Sequence, residues 1–173
     1  MNIHIYNMIT DPILINSNKK PLDLFKEWFD EAKKSEINDP NAMSLSTISL
    51  DGLPNSRIVL LKSYDEDGFV FFTNSKSKKG KAIAVNNNVS LNFHWKSLQR
   101  QIRIEGVASI ISKNDADEYY NSRPIGSKIG AWASLQSDEL DERITLVNRV
   151  NEFENKFKSK NIPRPPHWNG YLV

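Results

Sequence analysis

The apolar positions of this chain change period twice, and the changes divide it into three stretches. After Pro21, the residues Leu22, Phe25, Phe29 and Ala32 recur at helical spacing, with Leu24 and Trp28 widening the same face. Proline suits the first turn of a helix, where its missing N–H is not needed. Pro40 disfavours helix in the residue before it, so the spacing predicts a helix from Pro21 to near Asn38. From Met43 the pattern shortens. Met43–Leu50, Arg57–Lys62, Phe69–Thr73, Val89–Trp95 and Gln101–Ile110 read as strands, with Asp51-Gly52 and Asp65–Gly68 as turn signals. Arg57–Lys62 is apolar at every inner position, which predicts a strand buried on both faces. Ser77–Val85 interrupts the strands as a short helix.

After Ile110 helical spacing returns. Ser112, three residues before Asp115, starts a helix that carries Tyr119 and Tyr120 and is closed by Pro124. Ser137 is read as the cap of a longer helix with Asp138, Glu139 and Asp141 in its first turns and Lys156 and Lys158 in its last. Its apolar stripe is Leu140, Ile144, Val147, Val150, Phe153 and Phe157. Three prolines, Pro163, Pro165 and Pro166, connect to Trp168–Val173, which begins like a strand. Residues 1–20 lack a clear period and are read as a loose arm before one domain over 21–173. The class is mainly β with flanking helices (α+β), an antiparallel barrel or sandwich.

Composition narrows the function classes. A length of 173 residues suits one domain with a real core. The 23 basic and 21 acidic residues leave a net charge of +2, against wholesale coating of nucleic acid. There is no cysteine, which excludes disulfides, thiol catalysis and thiolate metal sites. His4, His94 and His167 are far apart and lack metal-ligand spacing, so no metal is expected. No apolar run approaches the ~20 residues of a membrane span, and the N-terminus is a poor signal peptide. A soluble cytoplasmic protein with neither membrane nor nucleic acid as partner is the expectation.

Candidate chemistry is cationic and polar. Lys76, Lys78, Lys79 and Lys81 surround Ser77 near a predicted helix N-terminus. Free N–H groups and the helix dipole favour an anion there, although a solvated lysine loop has the same composition. Arg57 and Lys62 flank an apolar strand; they either reach solvent or, for Arg57, make paired hydrogen bonds to a phosphate. Tyr119, Arg123 and Ser127 around Pro124 are a second candidate anion site, or a surface loop. Gln101, Gln136 and Ser137 could hydrogen-bond the edge of a heterocycle.

Together the segments PLDLFKEWFDEA, RIVLLKSYDEDGFVFFTN, LQRQIRIEGVA, YYNSRPIGSKIGAWASLQS and PRPPHWNGYLV resemble the pyridoxamine 5′-phosphate oxidase family, over about Pro21 to Val173. The resemblance implies an antiparallel FMN-binding split barrel and a homodimer. It implies FMN contacts from Arg57, Ile58, Val59, Leu60, Leu61, Lys62, Phe72, Thr73, Ser77, Lys78, Lys79, Gln101, Gln136 and Ser137. Gln101, Gln136 and Ser137 match contacts supplied across the dimer interface. Lys78 stands where an arginine is common, and Phe72 where a tyrosine is. Lys62, Tyr119, Arg123 and Ser127 match the grip on the substrate phosphate. The implied reaction oxidises pyridoxamine or pyridoxine 5′-phosphate to pyridoxal 5′-phosphate, with oxygen as acceptor and hydrogen peroxide as by-product. The family's Arg-x-His segment follows the WxGYxV segment and is absent here, so no catalytic residue is assigned and the domain is read as truncated at its C-terminal end. Three other readings stay open: a flavin- or vitamer-binding remnant, a split-barrel flavin oxidoreductase with another substrate, and a nucleic-acid-binding domain.

Overall fold

The first helix forms where its apolar stripe lies. α1 (Pro21–Ser35) buries Leu24, Phe25, Trp28, Phe29 and Ala32. It ends three residues before the expected Asn38, with the Glu36 N–H closing on the Ala32 carbonyl. The computed structural model describes residues 2–7, 18–158 and 161–173. The strands are β1 (Asn2–Asn7), β2 (Ala42–Ile48), β3 (Pro54–Tyr64), β4 (Phe69–Asn74), β5 (Asn88–Trp95), β6 (Arg100–Val107), β7 (Ser109–Ile110) and β8 (Trp168–Leu172). The other helices are α2 (Lys78–Val85), α3 (Lys113–Ser122), α4 (Ile125–Ala133) and α5 (Arg143–Phe157).

All pairings are antiparallel, in the order β1-β6-β5-β2-β3-β4-β8-β7. The predicted strand Gln101–Ile110 is in fact two. β6 pairs near one end of this order and β7 lies at the other. The break falls at Ala108, whose N–H bonds the Asn87 carbonyl at 2.8 Å. One run of chain thus joins both ends of the sheet and curls it into a split barrel. Phe25 plugs the barrel, with Tyr64, Phe69 and Phe93 rings at 4.9, 4.9 and 5.4 Å, mostly edge-on as aromatic quadrupoles prefer.

Several expectations change. Asn2–Asn7, read as part of a loose arm, is a strand on β6; residues 8–17 of that arm lie outside the described residues. β3 is not buried on both faces: Val59 and Leu61 enter the core, while Ile58 is 66% exposed. The pleat sends alternate residues to opposite sides, and an apolar residue at each position hides that alternation in the sequence. Ser137 does not cap a helix. Its φ is +74°, whereas an N-cap has extended backbone, and α5 begins only at Arg143. A helix starting at Ser137 would place Asp138 against Asp141 and Glu142, and Glu139 against Glu142, at the three- and four-residue spacings where like charges repel. Leu140 therefore precedes α5, and Phe153 and Phe157 of its stripe pack on Trp132 of α4 at 5.7 and 5.5 Å. The Trp168 segment is a full strand held on both sides, by β4 and β7.

Candidate active site

A cleft of about 710 Å³ opens between β3, β4, the Lys79 turn of α2, and the α3–α4 corner. That is within the roughly 300–1,000 Å³ of small-molecule sites. Eleven residues singled out in the sequence line it: Ile58, Val59, Leu60, Lys62, Phe72, Thr73, Lys79, Tyr119, Arg123, Ser127 and Gln136. Arg57 and Lys78 line a smaller cavity of about 320 Å³ with Lys81, Thr47 and Asn55. The remaining four lie elsewhere. Leu61 is in the core and Ser77 is wholly buried. Gln101 sits on β6 and donates to Asn92 Oδ1 at 2.8 Å. Ser137 is in the exposed turn before α5.

Local folding explains how each cation is aimed. In β3, Leu61 pairs with Phe71 but Ser63 pairs with Val70, so Lys62 is one residue too many for its partner strand. Such a bulge re-aims a side chain, and Lys62 lines the cleft. On the next strand, the Asn74–Ser77 turn leads into α2. Ser77 Oγ donates to the Asn74 carbonyl at 2.7 Å and accepts from the Gly80 N–H at 3.3 Å. Gly80 packs so closely on this turn that a Cβ would lie 2.5 Å from Ser75 Cα and carbonyl O, and 2.6 Å from the Asn74 carbonyl. The turn is also tied to the proline connector, since the Ser75 N–H donates to the His167 carbonyl at 2.7 Å.

The electrostatics are one-sided. Lys79 is 8% exposed. Its Nζ donates to Gln136 Oε1 at 3.1 Å and to Ser77 Oγ at 3.4 Å, and Thr73 Oγ1 donates to the same Gln136 oxygen at 3.2 Å. Burial and then the Arg57 charge push the Lys79 pKa down. Arg57 Nη1 donates to Thr47 Oγ1 at 2.8 Å and to the Leu45 and Asn55 carbonyls at 3.1 Å each. Burial lowers its pKa too. Arg123, at the C-cap of α3, has a buried Nη1 without a hydrogen-bond partner. Among the described residues, no carboxylate pairs with Lys62, Lys79, Arg57 or Arg123. Within the cleft, Lys62, Lys79 and Arg123 are gathered without acids, one with an orphaned donor, and fit a ligand that brings its own negative charge. Thr73, Gln136 and the Phe72 ring fit a flat, hydrogen-bonding ring system beside it.

Sequence reasoning missed Ser122, Gly130, Ala131, Ser134 and Trp168 of the cleft lining. The small residues of α4 carry no chemical signal in a sequence. Trp168 carries one, a large aromatic at the start of a strand, but its position over the cleft depends on pairing with β4, where it faces Asn74.

Known proteins similar to this chain point to one family and one fold. A family model described as pyridoxamine 5′-phosphate oxidase matches residues 29–157. The pyridoxine/pyridoxamine 5′-phosphate oxidase of Allorhizobium ampelinum is 50% identical over 154 residues, 89% of this chain and 75% of that protein. The enzyme of the same name from Brucella canis is 52% identical over 154 residues, 89% of this chain and 76% of that protein. Among solved structures, PhzG from Burkholderia lata, in complex with tetrahydrophenazine-1-carboxylic acid, matches with a TM-score of 0.86 and 29% identity over 96% of this chain and 82% of that one. A pyridoxamine 5′-phosphate oxidase-related, FMN-binding protein from Nostoc punctiforme shares the fold, with a TM-score of 0.69 and 14% identity over 90% of this chain and 81% of that one.

Proposed function

The chain belongs to the pyridoxamine 5′-phosphate oxidase family, FMN-dependent oxidases, and on that premise we propose that it oxidises pyridoxamine 5′-phosphate or pyridoxine 5′-phosphate to pyridoxal 5′-phosphate. Oxygen is the final acceptor and hydrogen peroxide the by-product; the amine route also consumes water and releases ammonia. The observation that carries this reading is the single acid-free cleft that holds Lys79, Thr73 and Gln136 together with Lys62, Tyr119, Arg123 and Ser127.

Two anion grips divide the work. Lys79, with Lys78 and Arg57, holds the FMN phosphate, while Thr73, Gln136 and Phe72 meet the ring system. Arg123, Lys62, Ser127 and Tyr119 hold the substrate phosphate. Bound FMN supplies the two-electron acceptor, and this chain supplies binding, orientation and a charge field suited to two phosphates. No side chain is given an acid or base role. The domain takes in β1 as well as residues 21–173 and works as a cytoplasmic homodimer. The exposed apolar residues of the β2–β3 hairpin, Ile48, Leu50, Leu53 and Ile58, support self-association. Gln136, matched in sequence to a contact across the interface, instead lines the cleft of its own chain; Gln101 and Ser137, which do not, would serve the site of the partner subunit.

The test is to titrate purified protein with FMN, following quenching of flavin fluorescence, and then to add pyridoxine 5′-phosphate in air. Pyridoxal 5′-phosphate absorbance and peroxide should rise together. Unquenched flavin would rule out the cofactor assignment, and quenched flavin with no aldehyde or peroxide would rule out the reaction.

A further inference from the structure

Arg123 is unusual among the cleft cations in what holds it. Its guanidinium carbon lies 4.6 Å from the centre of the Trp168 indole and 5.8 Å from that of Tyr120. No ion pair among the described residues includes it, and its Nη1 is buried without an acceptor. A long, flexible side chain without a carboxylate partner has many rotamers available. The structure has one obvious restraint on it, an aromatic face. Trp168 is itself fixed. It is 8% exposed, lies on Phe72 at 4.7 Å and 13°, meets Tyr120 edge-on at 5.2 Å, and is near-parallel to Tyr119 at 6.1 Å and 3°. Phe72 stacks in turn on Tyr119 at 4.2 Å. The Arg164 guanidinium donates to the Trp168 carbonyl at 2.7 Å, which pins the backbone beneath it.

The geometry points to Trp168 as a positioning residue: its indole face sets the plane of the Arg123 guanidinium and so orders that cation for the phosphate of the substrate. Stacking takes up a face of the cation and leaves its hydrogen-bonding edge free, whereas a carboxylate partner would occupy that edge. The arrangement raises substrate affinity by removing rotamer freedom before the ligand arrives. It also explains why the buried donor persists unpaired: the aromatic face offsets part of its desolvation while competing with no anion. This assignment rests on the proposal that Arg123 grips the substrate phosphate.

The test uses FMN-loaded protein and calorimetric binding of pyridoxal 5′-phosphate, a product that needs no turnover. Losing a desolvated cation–π contact is expected to weaken binding about tenfold in Trp168→Leu. Trp168→Phe keeps an aromatic face and should recover most of that loss; it also serves if the leucine variant does not fold. FMN affinity, read by fluorescence quenching, should fall less than affinity for pyridoxal 5′-phosphate in both, because Trp168 reaches the flavin side of the cleft only through Phe72. In the double variant Trp168→Leu with Arg123→Ala, binding should match that of Arg123→Ala alone. Independent losses that multiply in the double variant, or a fall in FMN affinity equal to that for pyridoxal 5′-phosphate, would overturn the assignment. A wild-type protein that oxidises nothing, yet shows the leucine and phenylalanine effects on binding, would refute the proposed reaction and leave this inference standing.

Discussion

Replacing Lys79 by methionine should make the cofactor-free protein more stable and its grip on FMN weaker. The opposite signs come from one geometry. Lys79 is 8% exposed, and its ammonium has three donors but only two neutral acceptors, Gln136 Oε1 at 3.1 Å and Ser77 Oγ at 3.4 Å. Burial and the Arg57 charge both disfavour the protonated form. The folded chain therefore holds this proton less tightly than the unfolded chain. The resulting destabilisation is complete below the folded-state pKa, fades as pH rises through it, and is gone above the unfolded-chain value. Methionine keeps most of the volume and removes the charge. The thermal midpoint without FMN should rise in Lys79→Met near neutral pH, and the gap to wild type should narrow towards pH 10. With FMN the order reverses. A hydrogen bond to a charged group contributes about 1.5–3 kcal/mol, so the dissociation constant should rise roughly 10- to 100-fold. Saturating FMN should stabilise wild type more than the variant by the corresponding mass-action term. Fluorescence quenching and melting curves with and without FMN read both quantities. A variant that melts lower than wild type without FMN and still binds FMN normally would show that Lys79 is a packing residue, and the reasoning would fail.

Arg123→Ala should raise the KM for pyridoxine 5′-phosphate by roughly 10- to 100-fold through loss of a charged hydrogen bond, while FMN titration stays unchanged. Gly80→Ala should lower the thermal midpoint, with about 1–3 kcal/mol of overpacking, because its Cβ would meet Ser75 and Asn74 backbone at 2.5–2.6 Å; an unchanged midpoint would mean the turn relaxes freely. Leu53→Glu, at an exposed hairpin position outside the cleft, should shift the sedimenting species from twice 19.8 kDa to 19.8 kDa, and FMN affinity should fall with it if Gln101 and Ser137 act across the interface.

The parts of this structure that were legible in the sequence are those whose signal is local. Phe25, Trp28 and Phe29 announce α1 by spacing alone, and Ser77 announces α2 by its side-chain bond to the Gly80 N–H. The cations of the cleft were legible as residue types, and the resemblance supplied their grouping. What the sequence hid was nonlocal. The bulge that aims Lys62 appears only when β3 is laid against β4. The break at Ala108 matters because it joins two ends of a sheet. Ser137 misled because serine before a run of acids looks like a cap, while repulsion within that run delays the helix to Arg143. Trp168 was invisible as a cleft residue because its neighbours Phe72 and Tyr119 come from distant segments.

The pairing of β8 between β4 and β7 sets an order of events. Ser75 and His167, bonded through the turn that carries Lys79, are 92 residues apart. Contacts of such separation form slowly, because the intervening chain must first be ordered enough to bring them together. During synthesis, β2 to β6 can pair while Trp168 is still unmade, leaving β4 with an open edge and the cleft without one wall. FMN then has nothing complete to bind until this strand docks. The cofactor should act as a latch on an already closed barrel rather than as a seed for folding, and a cell short of FMN should accumulate folded empty protein rather than unfolded chain.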